Sequence, residues 1–402
     1  MTAASDPDTA PDTAAGADPA LPLHDVRVID LSRLVSGNLL THVLADLGAT
    51  VVKVEPPRKG DELRAWQRDG VSTYWLAYGR NKDSVELDLR AAAGMAHLRR
   101  LLADADLLVE NFRPGTLERM GLGVAVLQQI NPKLVVVRIS GWGQTGLFAG
   151  KGGFGSLIEA MSGFASMNGF ADRPPVLPPF AMADSVAGLY GAALALAALH
   201  RQRASAAPQV QEIDLSLFEP LFSVLGPQAA EHRLTGQVTP RSGSRSPTHA
   251  PRNVYRTQDA RWVALSAGIE ASLARLFDGI GQPEALADPR FATHEARLRH
   301  IDALDALIQD HIAGLTLDQA LAFFEAHDIT AGPVCDIADL LQHPYIVESG
   351  LLVEQTAPDG RSVPVHAAPY RINGRRPPIR RGAPALGQDD ARWLGPQTED
   401  PP

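Results

Sequence analysis

The segment VRVIDLSRLVSGNLLTHVLADLGATVVKV, residues 26–54, contains two short apolar runs at its ends, residues 26–31 and 50–54. Ser36 is a candidate N-cap between these runs, and Gly48 is a candidate helix stop. Five apolar residues recur at helical spacing between Ser36 and Gly48: Leu39, Leu40, Val43, Leu44 and Leu47. The pattern predicts a strand, a helix and a second strand in direct succession.

Two further apolar runs, residues 106–110 and 134–140, each follow a segment with helical character. Strands that are apolar throughout, rather than alternating, are typical of parallel sheets with helices on both faces. The first half of the chain is therefore predicted to be an α/β domain built on a parallel sheet.

The pattern changes after about residue 256. A strand-like run, Trp262–Ser266, precedes helical segments, and Thr316 with Gln319 has the spacing of a capping box. We expect four parts along the chain: a disordered tail (1–20) without Leu, Ile, Val or aromatic residues, a large α/β domain (21–224), a smaller α+β domain (225–330), and a C-terminal segment (331–402) that returns to the large domain.

The composition and net charge disfavour several classes of function. The 402 residues are 45% hydrophobic and 21% charged with a net charge of −9, which disfavours binding to nucleic acid. One cysteine excludes an internal disulfide framework, and the twelve histidines show no metal-binding spacing. The longest apolar run, residues 186–199, is shorter than the ~20 residues that span a bilayer. We expect a soluble cytoplasmic protein with no membrane or nucleic-acid partner, no metal and no permanently bound cofactor.

Residues 141–146, GWGQTG, match the dinucleotide pattern G-x-G-x-x-G after a predicted strand. A nicotinamide site needs a helix to begin there, whereas the glycine-rich residues 147–153 favour a mobile loop beside some other site. The sequence leaves both interpretations open.

Asp184 stands immediately before the apolar segment 186–199. This segment is apolar on nearly every side, which predicts a buried helix. A carboxylate at the positive end of a helix stays ionised, and it serves either as a helix cap or as a nucleophile. Elsewhere, the NFRPG loop at residues 111–115 follows a predicted strand, and its arginine is either solvated or binds phosphate together with other basic residues: Lys82, Arg90 and Arg119.

Taken together, these segments resemble the family III CoA-transferases, the carnitine/bile-acid type that includes formyl-CoA and succinyl-CoA transferases. The matching motifs are VIDLSRLVSG (28–37), LADLGATVVKVEPPRKGDELR (44–64), NKDSVELDL (81–89), ADLLVENFRPGTLERMGLG (105–123), ISGWGQTG (139–146), SGFASMNGF (162–170), MADSVAGLYGAALALAAL (182–199) and AGPVCDI (331–337). The resemblance implies a Rossmann-like large domain built from both chain ends, a smaller domain, and a homodimer of two interlocked chains.

The resemblance also implies roles for individual residues. Asp184 would be the nucleophile that exchanges CoA between an acyl-CoA donor and a carboxylic acid acceptor, without metal or redox cofactor. Backbone N–H groups near Val35 and Ser36 would stabilise oxyanions. The CoA nucleotide would be held at Leu87, Asp88, Leu89, Arg90, Asn111, Phe112, Arg113 and Arg119. The reacting acyl group would be lined by Lys151 and Phe154.

Two departures from the family pattern bear on the substrate. Racemases of this family carry His-Asp where this chain has Phe154-Gly155, and oxalate-handling members carry a glycine run where this chain reads RSGSRS at residues 241–246. Basic residues there and just beyond predict either recognition of a second carboxylate or an exposed basic loop: Arg241, Arg245, His249 and Arg252. We expect a CoA-transferase acting on a small dicarboxylic or branched acid. An α-methylacyl-CoA racemase and a non-catalytic acyl-CoA-binding protein are the alternatives.

Overall fold

The computed structural model describes residues 21–395, so the predicted disordered tail lies outside the described residues. Its strands are β1 (Arg27–Asp30), β2 (Thr50–Glu55), β3 (Lys82–Glu86), β4 (Leu107–Glu110), β5 (Val135–Ser140), β6 (Gln211–Ser216), β7 (Arg252–Arg256), β8 (Trp262–Ser266), β9 (Ala331–Pro333), β10 (Leu352–Thr356) and β11 (Ser362–His366).

The α-helices of the same residues are α1 (Ser36–Asp46), α2 (Thr73–Tyr78), α3 (Ala92–Ala103), α4 (Thr116–Arg119), α5 (Val124–Ile130), α6 (Gly155–Met161), α7 (Phe164–Met167), α8 (Met182–Arg203), α9 (Phe218–Val224), α10 (Gln228–Thr235), α11 (Glu270–Gly279), α12 (His294–Arg299), α13 (Ile301–Ile312), α14 (Leu317–Ala326), α15 (Ile337–Gln342), α16 (Pro344–Ser349) and α17 (Asp390–Leu394). Short 3₁₀ helices lie at Glu62–Ala65 and Pro283–Ala287.

The first six strands form one parallel sheet in the order β3-β2-β1-β4-β5-β6. The predicted parallel sheet and its helical connections are confirmed. Apolar side chains on β1, β2 and β4 are fully buried, because helices cover both faces: Ile29, Val52 and Leu108. The strand order reverses between β1 and β4, and ligands of doubly wound sheets bind at the carboxyl ends of the strands beside such a reversal.

The chain divides into two compact units. The first contains residues 21–152, 184–217 and 351–395, including the six-stranded sheet. The C-terminal segment joins it through hydrogen bonds such as the one from the Ser84 backbone N–H to the Asp389 carboxylate, 2.9 Å long. The small domain was expected at residues 225–330. The second unit instead begins at Gly153 and ends at Gly350, so its boundaries differ from that expectation.

The second unit contains residues 153–183 and 218–350. Its antiparallel sheet, in the order β7-β8-β9, packs one face on helices around a core that includes Tyr255, Phe277 and Ile308. The predicted strand at Trp262–Ser266 is confirmed, and so is the capping box of Thr316 and Gln319 at the start of α14.

Helix α8 buries one side and exposes the other. Its small residues Gly188 and Gly191 pack against α1, whereas the other side carries exposed apolar residues: Leu189, Tyr190 and Leu194. The prediction of a buried helix is therefore wrong for this exposed side in the single chain, because apolar composition does not show which neighbour covers each face. At 22 residues, α8 is also long and apolar enough to cross a membrane, a criterion that core helices meet as well.

Candidate active site

The turn between β1 and α1 leads into an uncapped helix N-terminus. Leu34 has a φ of 60°, which costs a non-glycine residue about 1 kcal/mol. Helix α1 begins two residues later at Ser36, and no side chain caps it. The first N–H groups of a helix have no intrahelical partner and favour negative charge. The turn therefore offers backbone N–H groups of the kind that the family resemblance implies at Val35 and Ser36.

Four charged side chains lie buried around this turn: Asp30, Lys53, Asp61 and Lys82. Lys53 Nζ lies 2.9 Å from Asp61 Oδ2 and 3.4 Å from Asp30 Oδ1, and Lys82 Nζ lies 3.3 Å from Asp30 Oδ2. Burial alone would raise the pKa of Asp30, but the two ammonium groups, together with hydrogen bonds from Ser32 and Thr41, hold that pKa below its usual range. Burial lowers the pKa of Lys82 to about 8. Two buried carboxylates and two buried ammonium groups around the turn are thus paired with one another.

Asp184 lies in the first turn of α8 and is partly buried. Gly188, one turn later on the same helix face, packs on the first turn of α1, since a Cβ at Gly188 would lie 2.7 Å from the backbone oxygen of Ser36. Further along, a Cβ at Gly191 would lie 2.5 Å from Leu40 Cδ1, so the two helices run in the same direction across this contact. Asp184 is therefore carried on the α1-facing side of α8, toward the N-terminal end of α1.

A second carboxylate accepts a hydrogen bond from Ala183, the residue that precedes Asp184 in the sequence. Glu159, on α6, is 3% exposed, and its Oε1 accepts a 3.1 Å hydrogen bond from the backbone N–H of Ala183. This bond satisfies one of the N–H groups at the start of α8 that a helix leaves unpaired. The sequence analysis missed Glu159, since nothing in the local pattern distinguishes a capping carboxylate from any other helical glutamate.

The residues predicted to hold the CoA nucleotide follow two different strands. Asn111 follows β4, and its side chain joins the β1–α1 turn through Arg33, accepting from the backbone N–H at 2.8 Å and donating to the backbone oxygen at 2.7 Å. Arg113 is exposed nearby, and Phe112 packs partly on the core. Arg119, on α4, donates to Thr116 Oγ1 at 2.8 Å.

The predicted set Leu87, Asp88, Leu89 and Arg90 follows β3, at the edge of the sheet. Leu87 is 5% exposed and belongs to the core, so its side chain is not available to a ligand. Asp88 Oδ1 accepts a 3.0 Å hydrogen bond from the Arg90 backbone N–H, and the Arg90 side chain is exposed.

Lys151 and Phe154 were predicted to line the reacting acyl group. Lys151 Nζ lies 3.6 Å from the centre of the Phe148 ring, in the first unit. Phe154, in the second unit, is 69% exposed. The nearby GWGQTG segment is followed by a helix only at Gly155, so it lacks the helix start at Gly146 that a nicotinamide site requires.

Two residues of the predicted carboxylate-binding group already have hydrogen-bond or ion-pair partners within the second unit. The Arg241 guanidinium donates to three backbone oxygens between residues 170 and 173. Arg245 pairs with Asp302 and Asp305, each at 2.7 Å. These contacts favour a structural role for Arg241 and Arg245 over the predicted binding of a second carboxylate.

The other two residues of that group are differently placed. His249 Nδ1 lies 2.9 Å from Thr248 Oγ1. Arg252 lines a cavity of about 540 Å³ together with hydroxyl-bearing residues such as Ser244 and Ser266. No ion pair to Arg252 occurs within residues 21–395, so it stays the candidate for binding an acid in this unit.

The buried network also escaped the sequence analysis, although a signal for it exists. Lys53 interrupts the apolar strand TVVKV, and a charged residue inside a strand buried on both faces needs a partner. What the sequence does not reveal is that the partners are Asp30 and Asp61. In the described part of the chain, no group of three or more His, Cys, Asp or Glu residues is placed to hold a metal ion.

Solved structures show the same architecture. A CaiB/BaiF family protein from Brucella suis superposes with a TM-score of 0.82 at 31% identity, over 93% of this chain and 99% of that one. Protein Rv3272 from Mycobacterium tuberculosis gives a TM-score of 0.82 at 27% identity, over 94% of this chain and 100% of that one.

Sequence relatives agree. A succinyl-CoA–D-citramalate CoA-transferase of Chloroflexus aurantiacus is 38% identical over 92% of this chain and 92% of its own length. A succinate–glutarate CoA-transferase of Agrobacterium fabrum is 32% identical over 93% of this chain and 95% of its own length. The model of CoA-transferase family III matches residues 23–390. The chain therefore belongs to CoA-transferase family III, and CoA-transferases use CoA thioesters as substrates.

Proposed function

We propose that this chain transfers CoA from an acyl-CoA thioester, succinyl-CoA above all, to a small dicarboxylic acid, with Asp184 as the covalent nucleophile. The observation that carries the proposal is that Asp184 and Gly188 share one face of α8, and that Gly188 touches the uncapped start of α1. The named activities of relatives support the substrate class, because citramalate and glutarate are dicarboxylates.

The reaction begins when the Asp184 carboxylate attacks the thioester carbonyl carbon. The C–S bond breaks, and an acyl–aspartyl anhydride and CoA thiolate form. The thiolate then attacks the aspartyl carbonyl carbon, releasing the donor acid and leaving an aspartyl-CoA thioester. The acceptor carboxylate attacks this thioester to form a second anhydride and free the thiolate. The thiolate finally attacks the acceptor carbonyl, producing the new acyl-CoA and restoring Asp184.

Each of these attacks places negative charge on a carbonyl oxygen. Backbone N–H groups at the start of α1 are fixed donors, and they stabilise such a charge without reorganising. Val35 and Ser36 are buried, which lowers the local dielectric and strengthens the interaction. A mobile side-chain donor on the surface would first have to lose conformational freedom, which the fixed backbone N–H groups do not.

The CoA nucleotide carries phosphates, and exposed guanidinium groups of the first unit suit them. Arg90 and Arg113 are exposed, and each follows a strand of the parallel sheet at its carboxyl end. Asn111 connects the Arg113 loop to the β1–α1 turn through its two hydrogen bonds to the Arg33 backbone. These contacts support a thioester that reaches from the nucleotide toward Asp184.

We also propose that the chain works as a homodimer of interlocked chains. The exposed side of α8 supports this, because Leu189 is 54% exposed and Leu194 is 40% exposed in the single chain. Contiguous apolar surface of this kind marks an interaction site. A second copy is the partner proposed, since symmetric dimers are the commonest soluble oligomers.

The test of the proposed function is a panel of acyl-CoA donors and carboxylic acid acceptors, with the CoA esters identified by mass. We expect transfer from succinyl-CoA to dicarboxylic acids in preference to monocarboxylic acids of similar size. Deuterium uptake from solvent at the α-carbon of an acyl-CoA would instead indicate a racemase. Binding of acyl-CoA with no exchange across the panel would contradict the proposed transfer to dicarboxylic acids.

A further inference from the structure

The β1–α1 turn is held by hydrogen bonds on nearly every backbone polar group. The Ser32 N–H donates to Asp30 Oδ1 at 2.9 Å, and the Ser32 oxygen accepts from Lys53 Nζ. Both polar groups of the Arg33 backbone are bonded to the Asn111 side chain. These hydrogen bonds restrict the turn to one conformation. They therefore fix the direction of the N–H groups that follow it at the start of α1.

Leu34 is the strained residue of the turn, with a φ of 60°. Its N–H donates to Asp61 Oδ1 at 3.1 Å, and its oxygen accepts from Asn38 Nδ2 at 2.6 Å. Asn38 Nδ2 also donates to the other oxygen of Asp61, at 2.7 Å. Asp61 therefore fixes the N–H of Leu34 directly and its carbonyl through Asn38.

Asp61 is itself fixed from the other side. It is 1% exposed, and its Oδ2 lies 2.9 Å from Lys53 Nζ, whose ammonium also reaches the Ser32 oxygen. A buried ion pair is weak evidence for stability alone, because desolvation offsets the attraction between the charges. This pair also constrains the geometry of the turn, because Lys53 bonds to the Ser32 oxygen and Asp61 bonds to the Leu34 N–H.

We propose that Asp61, held by Lys53, is a positioning residue for the transfer reaction: it keeps Leu34 in the left-handed conformation, so that the backbone N–H groups at the start of α1 face the reacting carbonyl. The inference rests on the proposed function. Asp61 touches no reacting atom in this scheme and acts only through the turn.

Two substitutions at residue 34 test the conformation without removing a buried charge. Glycine adopts positive φ freely, whereas a β-branched residue does not. Leu34→Gly is expected to keep kcat within about threefold, and Leu34→Val to lower kcat about 10- to 100-fold with little change in the acyl-CoA KM, because a misplaced donor costs rate more than binding. Equal kcat values for the two variants, both folded, would refute the proposal.

Asp61→Asn tests the positioning residue itself, since its amide has one accepting oxygen where the carboxylate has two. Its NH2 group must therefore face donors, either Lys53 and Asn38 or the backbone N–H of Leu34. We expect kcat to fall about 10- to 100-fold with the far-ultraviolet circular dichroism unchanged. Adding Leu34→Gly should restore part of this loss, because glycine needs no help to adopt the turn. A purely structural role would lower the melting temperature and show no such rescue, and that result would overturn the proposal.

Glu62→Gln is the matched control, because it removes the neighbouring carboxylate, which pairs with the Arg33 side chain at 3.0 Å on the surface. We expect wild-type kcat from it. If the unsubstituted chain transfers CoA and a folded Asp61→Asn variant matches it, the inference fails while the proposed function stands. If the unsubstituted chain transfers CoA to no acid in the panel, both fail.

Discussion

Gly188 and Ser36 lie so close that a Cβ on Gly188 would be 2.7 Å from the Ser36 backbone oxygen. This separation is shorter than a side-chain carbon tolerates, so α8 and α1 meet here through their backbones. The contact joins the helix that carries Asp184 to the helix whose N-terminus offers free N–H groups. The spacing between Asp184 and the N-terminus of α1 thus depends on the absence of a methyl group at Gly188.

Gly188→Ala should therefore separate the two helices. We expect a loss of about 1–3 kcal/mol in the free energy of unfolding and a fall in kcat of at least about tenfold. Denaturant unfolding and steady-state kinetics measure the two effects. Gly314→Ala is the control, because the nearest atom to its Cβ would be at an ordinary 3.6 Å. Wild-type kcat from a stable Gly188→Ala variant would contradict the packing argument.

Asp184→Asn should abolish turnover, since an amide cannot form the anhydride. We expect kcat to fall at least about 1,000-fold, as losses of covalent nucleophiles do, with the fold unchanged. Hydroxylamine trapping during turnover should modify the peptide that contains residue 184 in the unsubstituted chain only. Asp310→Asn, at an exposed position of α13, is the control. A label on a different peptide would disprove the covalent role of Asp184.

Arg245 and Arg252 should behave differently. Arg245→Ala leaves Asp305 without its guanidinium, although Tyr255 and Asn253 still donate to that carboxylate at 2.7 and 2.8 Å. We expect it to destabilise the protein by about 1–2 kcal/mol with equal effects on dicarboxylic and monocarboxylic acceptors.

Arg252→Ala, at the cavity, should instead weaken dicarboxylic acceptors about tenfold or more, the loss expected of one charge-assisted contact, without changing the melting temperature. Acceptor KM values and thermal unfolding distinguish the two variants. A selectivity change confined to Arg245→Ala would reverse the assignment.

His42 should contribute to acid sensitivity. Burial lowers its pKa to about 3, and although the Asp46 carboxylate opposes this, Arg80, Lys82 and His366 reinforce it. The unfolded chain binds a proton near pH 6.5, which the folded chain refuses until about pH 3. Stability is therefore expected to decrease as pH falls from about 6.5 toward 3.

The measurement is the free energy of unfolding against pH for the unsubstituted chain and for His42→Gln. The difference between the two curves should be flat above pH 6.5 and should change progressively below it. His232→Gln, at an exposed position of α10, gives the comparison for a surface histidine. A constant difference between the unsubstituted chain and His42→Gln down to pH 4 would show that His42 titrates normally in the folded state.

The exposed side of α8 should control association. Lysine at positions 189 and 194 places charge where the proposed partner chain would pack, so Leu189→Lys with Leu194→Lys should shift a dimer toward the monomer. Light scattering after size-exclusion chromatography gives the mass of each species. Val124→Lys changes another exposed apolar residue, on α5, and should leave the mass unchanged. An unchanged dimer in the double variant would place the interface elsewhere.

The parallel sheet was predictable because its signals are local. Apolar runs such as residues 50–54, and the helical spacing before them, act over a few residues and require no knowledge of the rest of the chain. The capping box at Thr316 was predictable for the same reason. The roles of Asp184 and of the nucleotide-binding positions came from resemblance to a family, and they stay predictions for this chain.

What local pattern could not provide is the pairing of distant groups. Arg245 looked like a ligand-binding residue because Asp302 and Asp305 are nearly sixty positions away in the sequence. Residues 153–183 looked continuous with the first domain, yet they fold with residues 218–350.

The sequence alone determined four of the six parallel strands, β1, β2, β4 and β5, since hydrophobic periodicity and capping act between near neighbours. Only the tertiary structure decided that Gly188 touches Ser36, that Lys53 joins Asp30 to Asp61, and that Leu34 is left-handed. The physical reason is that steric contact and ion pairing act through space. Their outcome depends on which remote residues the folded chain brings together.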